Sequence, residues 1–83
     1  MDKVAVFLRV PVLQASYEIL IPVDMKVRQV IALLIELLED LSARQYVSSG
    51  TELLCRSETG GVLDMECALC DYCIRHGEEL VLL

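Results

Sequence analysis

Hydrophobic residues alternate with other residues along the first part of the chain. In Lys3–Val10 every second residue is aliphatic, and the residues between them are mixed. A period of two places these two sets on opposite faces of a half-buried β-strand. A second alternating run, Tyr17–Ile21, is closed by Pro22, which cannot donate a ladder hydrogen bond. With a turn at Pro11–Ser16 between them, the two strands are predicted to form a hairpin.

The pattern changes to a helical period after Asp24, a residue type that is favoured at helix N-caps. At about 100° per residue, six aliphatic residues gather on one stripe of a helix. They are Val27, Val30, Ile31, Leu34, Leu38 and Leu41. Polar residues fall on the opposite side. We therefore predict an amphipathic helix that buries one face against the sheet.

The rest of the chain predicts further short strands. Ala43–Gly50 is polar and irregular, whereas Thr51–Arg56 has the character of a strand. Ser57–Gly61 is a hairpin-type turn cluster, and Val62–Leu63 would begin the return strand. Gly77 supplies a reversal, since glycine accepts a positive φ, and a last apolar strand follows it.

This order of elements predicts an α+β fold. A helix between two groups of strands covers one face of a mixed sheet, here with four to five strands, and this is the β-grasp arrangement. The chain has 83 residues, which is the size of one domain, so we predict a single domain over residues 1–83.

Composition and charge narrow the possible partners. The chain is 55 % hydrophobic with one Phe and no Trp, which predicts an aliphatic core rather than disorder. From Glu36 onward there are ten acidic residues against three basic ones. That half would repel a phosphate backbone, so we exclude nucleic acid and favour a protein partner with a basic surface.

The sequence shows no targeting signal or membrane segment. The N-terminal apolar run is broken by Arg9 and lacks a cleavage site of the signal-peptide kind. No apolar run approaches the roughly 20 residues of a membrane span, so no direct membrane insertion is expected. We therefore expect a cytoplasmic protein whose cysteines are reduced.

Three segments resemble ubiquitin-like proteins. Over positions 69–82, Leu69-x-Asp-Tyr-x-Ile-x-x-Gly-x-x-Leu-x-Leu is similar to the closing segment of ubiquitin-like domains. Tyr17-Glu-Ile-x-Ile-Pro22 and Val27-Arg-x-Val-Ile-Ala-Leu33 resemble the YukD/EsaB family. Members of that family are small cytoplasmic ubiquitin-like proteins associated with the type VII (WXG100, ESX-like) secretion systems of Gram-positive bacteria.

The resemblance implies a ubiquitin-like β-grasp body with an accessory or regulatory role in the secretion machinery. The implied partner is a component of that machinery, and the domain is expected as a monomer or weak homodimer. The last strand reaches Leu83 with no Gly-Gly after it, so we expect neither conjugation nor sulfur transfer. One histidine, no Gly-rich phosphate loop and no nucleophile at a recognisable spacing from a base indicate that the protein is not an enzyme.

The cysteines suggest an alternative function. Cys67, Cys70, Cys73 and His76 follow one another at a spacing of three, and such a set could hold Zn²⁺ tetrahedrally. Zinc ligands more often come as two pairs separated by a long loop, and a free cysteine commonly behaves as a small buried hydrophobe. We therefore interpret the cysteines as structural and expect no cofactor. A small metal- or redox-responsive protein built on this cluster is the alternative.

The candidate protein-binding surface is the outer face of the predicted sheet. Its predicted members are Phe7, Leu20, Leu54 and Val81, while Leu53 is predicted to point inward with the core residues. Four apolar side chains on adjacent strands would form an exposed patch of the kind that marks interaction sites, and ubiquitin-like domains commonly bind through this face. Scattered apolar residues of no functional meaning are the alternative interpretation.

Overall fold

A computed structural model describes residues 3–41 and 50–83. The strands are β1 Lys3–Val10, β2 Ala15–Pro22, β3 Leu54–Arg56 and β4 Glu78–Leu82, the helix is α1 Val27–Leu41, and two short 3-10 helices cover Pro11–Leu13 and Leu69–Tyr72. The irregular segment predicted at Ala43–Gly50 lies outside the described residues except for Gly50.

The four strands form one mixed sheet in the order β2-β1-β4-β3. β1 pairs antiparallel with β2 and parallel with β4, while β3 pairs antiparallel with β4. The predicted mixed sheet with one helix is therefore confirmed. The return strand predicted at Val62–Leu63 is reduced to an isolated bridge between Cys55 and Val62.

The core lies between α1 and the inner face of the sheet. The even-numbered residues of β1 are all buried, as the alternation predicts. Five residues of the predicted helical stripe are also buried, namely Val27, Val30, Ile31, Leu34 and Leu38. Leu41, the last residue of α1, is 56 % exposed, contrary to the prediction. α1 is also too short or too polar to cross a bilayer, as is every helix in the described part of the chain.

The start of α1 differs from the prediction. The helix begins at Val27, so Asp24 lies too early to be its N-cap. The first amides of a helix have no partner within the helix and must be satisfied from outside. Here Val27 N–H donates to the carbonyl of Cys67 (2.8 Å) and Arg28 N–H donates to that of Met65 (3.1 Å). Main-chain carbonyls from a distant loop therefore cap α1.

The face of β3 is the main correction to the sequence-based register. Leu54 pairs with Leu82 and is fully buried, whereas Leu53 is 39 % exposed. Leu53 and Leu83 extend the ladder through two mutual backbone hydrogen bonds of 2.9 and 3.0 Å. A slip of one residue exchanges the two faces of a strand, and adjacent leucines give no polar position that would reveal the slip. The predicted exposure of Leu54 is therefore wrong.

A charged contact ties β3 to β4 and to the second 3-10 helix. Arg56 Nε and Nη2 donate to the two carboxylate oxygens of Glu78, at 2.8 and 2.9 Å. Arg56 Nη1 donates to the carbonyl oxygen of Tyr72 at 3.1 Å. Only 10 % of the Glu78 side chain is exposed, so this bidentate pair is partly shielded from water.

We predict that Leu54→Ala lowers the free energy of unfolding by about 2–5 kcal/mol, because it opens a cavity in the core. The matched variant Leu53→Ala should cost no more than about 1 kcal/mol, since that side chain already meets solvent. Urea unfolding of the two variants measures the difference. Equal losses would mean that both leucines are packed alike and would contradict the register described here.

We also predict that Arg56→Lys lowers the free energy of unfolding by about 1–2 kcal/mol, because an ammonium group cannot reproduce the bidentate geometry. Arg9→Lys is the control. The Arg9 Nη1–Glu79 Oε1 distance is 3.8 Å, and both side chains are largely exposed, so the loss should stay below about 0.5 kcal/mol. Thermal or urea unfolding tests both variants, and a loss at Arg9 as large as at Arg56 would contradict the prediction.

Candidate protein-interaction surface

The outer face of the sheet carries apolar residues along one diagonal. On either side of Phe7 in β1, Ala5 lies opposite Leu20 and Arg9 lies opposite Val81. Leu20 is therefore offset from Phe7 by two residues toward one end of β1, and Val81 is offset by two residues toward the other end. Diagonal neighbours of this kind lie about 7–8 Å apart. We call the four residues on this line the diagonal stripe. They are Leu20 of β2, Phe7 of β1, Val81 of β4, and Leu53, which immediately precedes β3.

Most of the diagonal stripe is open to solvent. Leu20 is 61 % exposed, Phe7 is 43 % exposed and Leu53 is 39 % exposed, while Val81 is half-buried. Leu83, which pairs with Leu53, adds a further exposed apolar side chain at the same end. Single apolar residues on a surface need no explanation, but four apolar residues on one line across the sheet form a pattern of the kind that marks interaction sites.

Charged residues border the diagonal stripe. In the strand register Phe7 lies between Glu18 on β2 and Glu79 on β4. The Arg9–Glu79 ion pair crosses the stripe between Phe7 and Val81. An exposed pair at 3.8 Å contributes at most about 1 kcal/mol, so a partner can replace it at little cost. The surface thus offers apolar contact together with carboxylates on both sides of the aromatic ring.

The structure places three of the four predicted surface residues on this face. Phe7, Leu20 and Val81 lie on it, as expected from the alternation, while Leu54 belongs to the core and Leu53 takes its position. Binding by these residues stays a prediction. The sequence signal that could have identified Leu53 was weak, because β3 is only three residues long and shows no alternation.

The cysteines do not assemble the alternative metal site. Cys55 is buried, Cys67 is half-buried, and Cys70 and Cys73 are exposed. Across residues 3–41 and 50–83, no three His, Cys, Asp or Glu side chains are grouped so that they could hold a metal ion. His76 Nδ1 instead accepts a hydrogen bond from the Ala5 N–H at 3.1 Å. Within the cluster, Cys67 is therefore half-buried, whereas Cys70 and Cys73 meet solvent, and a structural role for these cysteines stays a prediction.

The sequence matches no protein-family model and no curated protein sequence. Solved structures are similar in fold. The EccD5 ubiquitin-like domain from Mycobacterium xenopi has a TM-score of 0.81 at 16 % identity, over 100 % of this chain and 94 % of that one. The ubiquitin-like domain of the Mycobacterium tuberculosis type VII secretion system protein EccD1 has a TM-score of 0.66 at 20 % identity, over 100 % and 99 %.

A chain of the toluene 4-monooxygenase HD complex is also similar, with a TM-score of 0.78 at 7 % identity over 98 % of this chain and 96 % of that one. Identities this low relate the proteins by fold alone. Together with the mixed sheet and single helix, these similarities show that the chain has the ubiquitin-like β-grasp fold.

Proposed function

We propose that this domain is a non-catalytic protein-interaction module with an accessory or regulatory role in a type VII secretion system, of the YukD/EsaB kind. The observation that carries the proposal is the diagonal stripe, a line of apolar residues on the face of the β-grasp sheet that points away from the core. Two of the similar structures are ubiquitin-like domains of EccD proteins, and this supports the assignment to type VII secretion.

The chemistry of the surface favours a particular kind of partner. An aromatic ring flanked by carboxylates suits a partner that presents an apolar side chain beside Lys or Arg, because the apolar contact excludes water around the charged pairs. The formal net charge of the chain is −6, which would steer a basic surface toward the domain. We propose a basic, apolar-centred surface of a secretion component as the partner.

The proposed action is binding alone. The four side chains of the diagonal stripe carry no nucleophile and no acid–base group, so they work through contact and desolvation. Glu18 and Glu79 border the stripe as solvent-exposed carboxylates and act through their charge. We propose that this binding takes place in the cytoplasm and that the domain is not covalently conjugated to other proteins.

We predict that Phe7→Glu weakens partner binding by about 30-fold or more, because truncating a central aromatic anchor typically costs at least about 2 kcal/mol. The new carboxylate would also stand between Glu18 and Glu79. The measurement is affinity purification from the native host with each variant as bait, followed by titration of the secretion component that the wild-type domain retains.

Val12→Glu is the control for added charge, since Val12 is 76 % exposed and lies outside the diagonal stripe, in the first 3-10 helix. It should bind as the wild-type domain does. The melting temperature of each variant separates lost binding from lost folding. Retention of no secretion component by the wild-type domain would overturn the assigned pathway, and equal retention by Phe7→Glu would overturn the assigned surface.

A further inference from the structure

Two exposed thiols lie in one open cavity, away from the diagonal stripe. The cavity has a volume of about 680 Å³ and lies between the start of β1 and the segment that joins the second 3-10 helix to β4. Cys70 and Cys73 both line it, and both side chains are exposed. Neither residue takes part in the surface proposed for protein binding.

The backbone places these two cysteines at the two ends of one tight turn. Cys73 N–H donates to the carbonyl of Cys70 at 3.3 Å, which closes a turn at the end of the second 3-10 helix. Cys73 follows that helix with a left-handed backbone (φ 53°), and the ends of a turn closed by such a hydrogen bond lie less than about 7 Å apart at Cα. A disulfide needs a Cα separation of roughly 4.4–6.8 Å. The turn therefore keeps the two Cα atoms close to the separation that a disulfide requires.

The remaining cysteines are placed differently. Cys55 is buried and belongs to β3, so reagents in solvent cannot reach it. Cys67 is half-buried and does not line the cavity, and its carbonyl is held by the amide that starts α1. Of the four cysteines in the chain, only Cys70 and Cys73 combine exposure with a shared cavity and a closing turn.

The polar lining of the cavity is basic. Lys3, Arg75 and His76 line it together with the two thiols, and among residues 3–41 and 50–83 no acidic side chain does so. A cleft lined by one sign of charge raises the local concentration of the opposite ion and favours its approach. The cavity thus suits a small anionic molecule that reacts with thiols.

We propose that Cys70 and Cys73 form a reversible disulfide by exchange with a small anionic disulfide, of the peptide-like class that carries carboxylates. This assignment is independent of the proposed role in secretion, because none of the residues of the diagonal stripe lines the cavity.

The exchange balances in two steps. One cysteine thiolate attacks a sulfur of the small disulfide, its S–S bond breaks, and the first small thiolate leaves and takes a proton from water. The second cysteine loses its proton to water and attacks the protein-bound sulfur, which expels the second small thiolate. The two protein thiols are oxidised to one disulfide, and the small disulfide is reduced to two thiols.

Oxidised glutathione serves as the probe. Incubation of the reduced protein should remove two thiols, and peptide mapping should find a link between Cys70 and Cys73. In Cys70→Ser or Cys73→Ser the second step is blocked, so each variant should retain one glutathione on the remaining cysteine. Cys67→Ser is the matched control and should still form the disulfide at the wild-type rate.

A charged and a neutral disulfide together test whether the basic lining of the cavity attracts the anionic reagent. In Lys3→Glu/Arg75→Glu, reaction with oxidised glutathione at low salt should slow by about tenfold or more, because the attracting charges are reversed. Reaction of the same variant with neutral hydroxyethyl disulfide should change little.

Some outcomes would overturn the proposal. A link to Cys67, or two free thiols at Cys70 and Cys73 after treatment with excess oxidised glutathione, would remove the disulfide. Equal slowing with the charged and the neutral probe would remove the anionic specificity. Circular dichroism spectra that match the wild-type spectrum confirm that the variants are folded before their rates are compared.

Discussion

The parallel pairing of β1 with β4 is the contact on which the rest of the structure depends. It joins the first strand of the chain to the last, with Val6–Arg9 alongside Glu78–Val81 at the centre of the sheet. The Gly77 N–H donates to the Ala5 carbonyl at 2.7 Å and extends this contact beyond the strand. The two edge strands each pair with one strand of this central pair, β2 with β1 and β3 with β4, and α1 packs against the resulting sheet.

Both candidate sites follow from that pairing. The two middle residues of the diagonal stripe, Phe7 and Val81, come from the two central strands, so the stripe is aligned only while their register holds. The cavity with the thiols forms where the same pair begins, because the His76 side chain binds the Ala5 amide and brings its loop beside Lys3. One constraint therefore positions both the diagonal stripe and the separate cavity with the thiols.

The elements with a long periodic segment could be predicted from the sequence. The predictions failed where the structure depends on contacts between residues that are distant in the chain. Alternation over eight residues placed β1 correctly, and the helical stripe located α1. β3 has three residues, and its face is set by its pairing with β4 rather than by a pattern. The cap of α1 comes from carbonyls near Cys67, about forty residues away, so local residue types such as Asp24 could not reveal it.

A β-grasp body places few demands on its surface, and this explains why fold and function separate here. The described core is almost entirely aliphatic, so many combinations of Val, Ile and Leu can fill the same space between helix and sheet. A chain of the toluene 4-monooxygenase HD complex shares this fold at 7 % identity, and an EccD5 domain shares it at 16 %. The aliphatic pattern therefore predicts the fold but not the function. The function depends on exposed positions, which the packing of the core does not constrain. In this chain the diagonal stripe and the two exposed thiols are the positions that we propose for such a role.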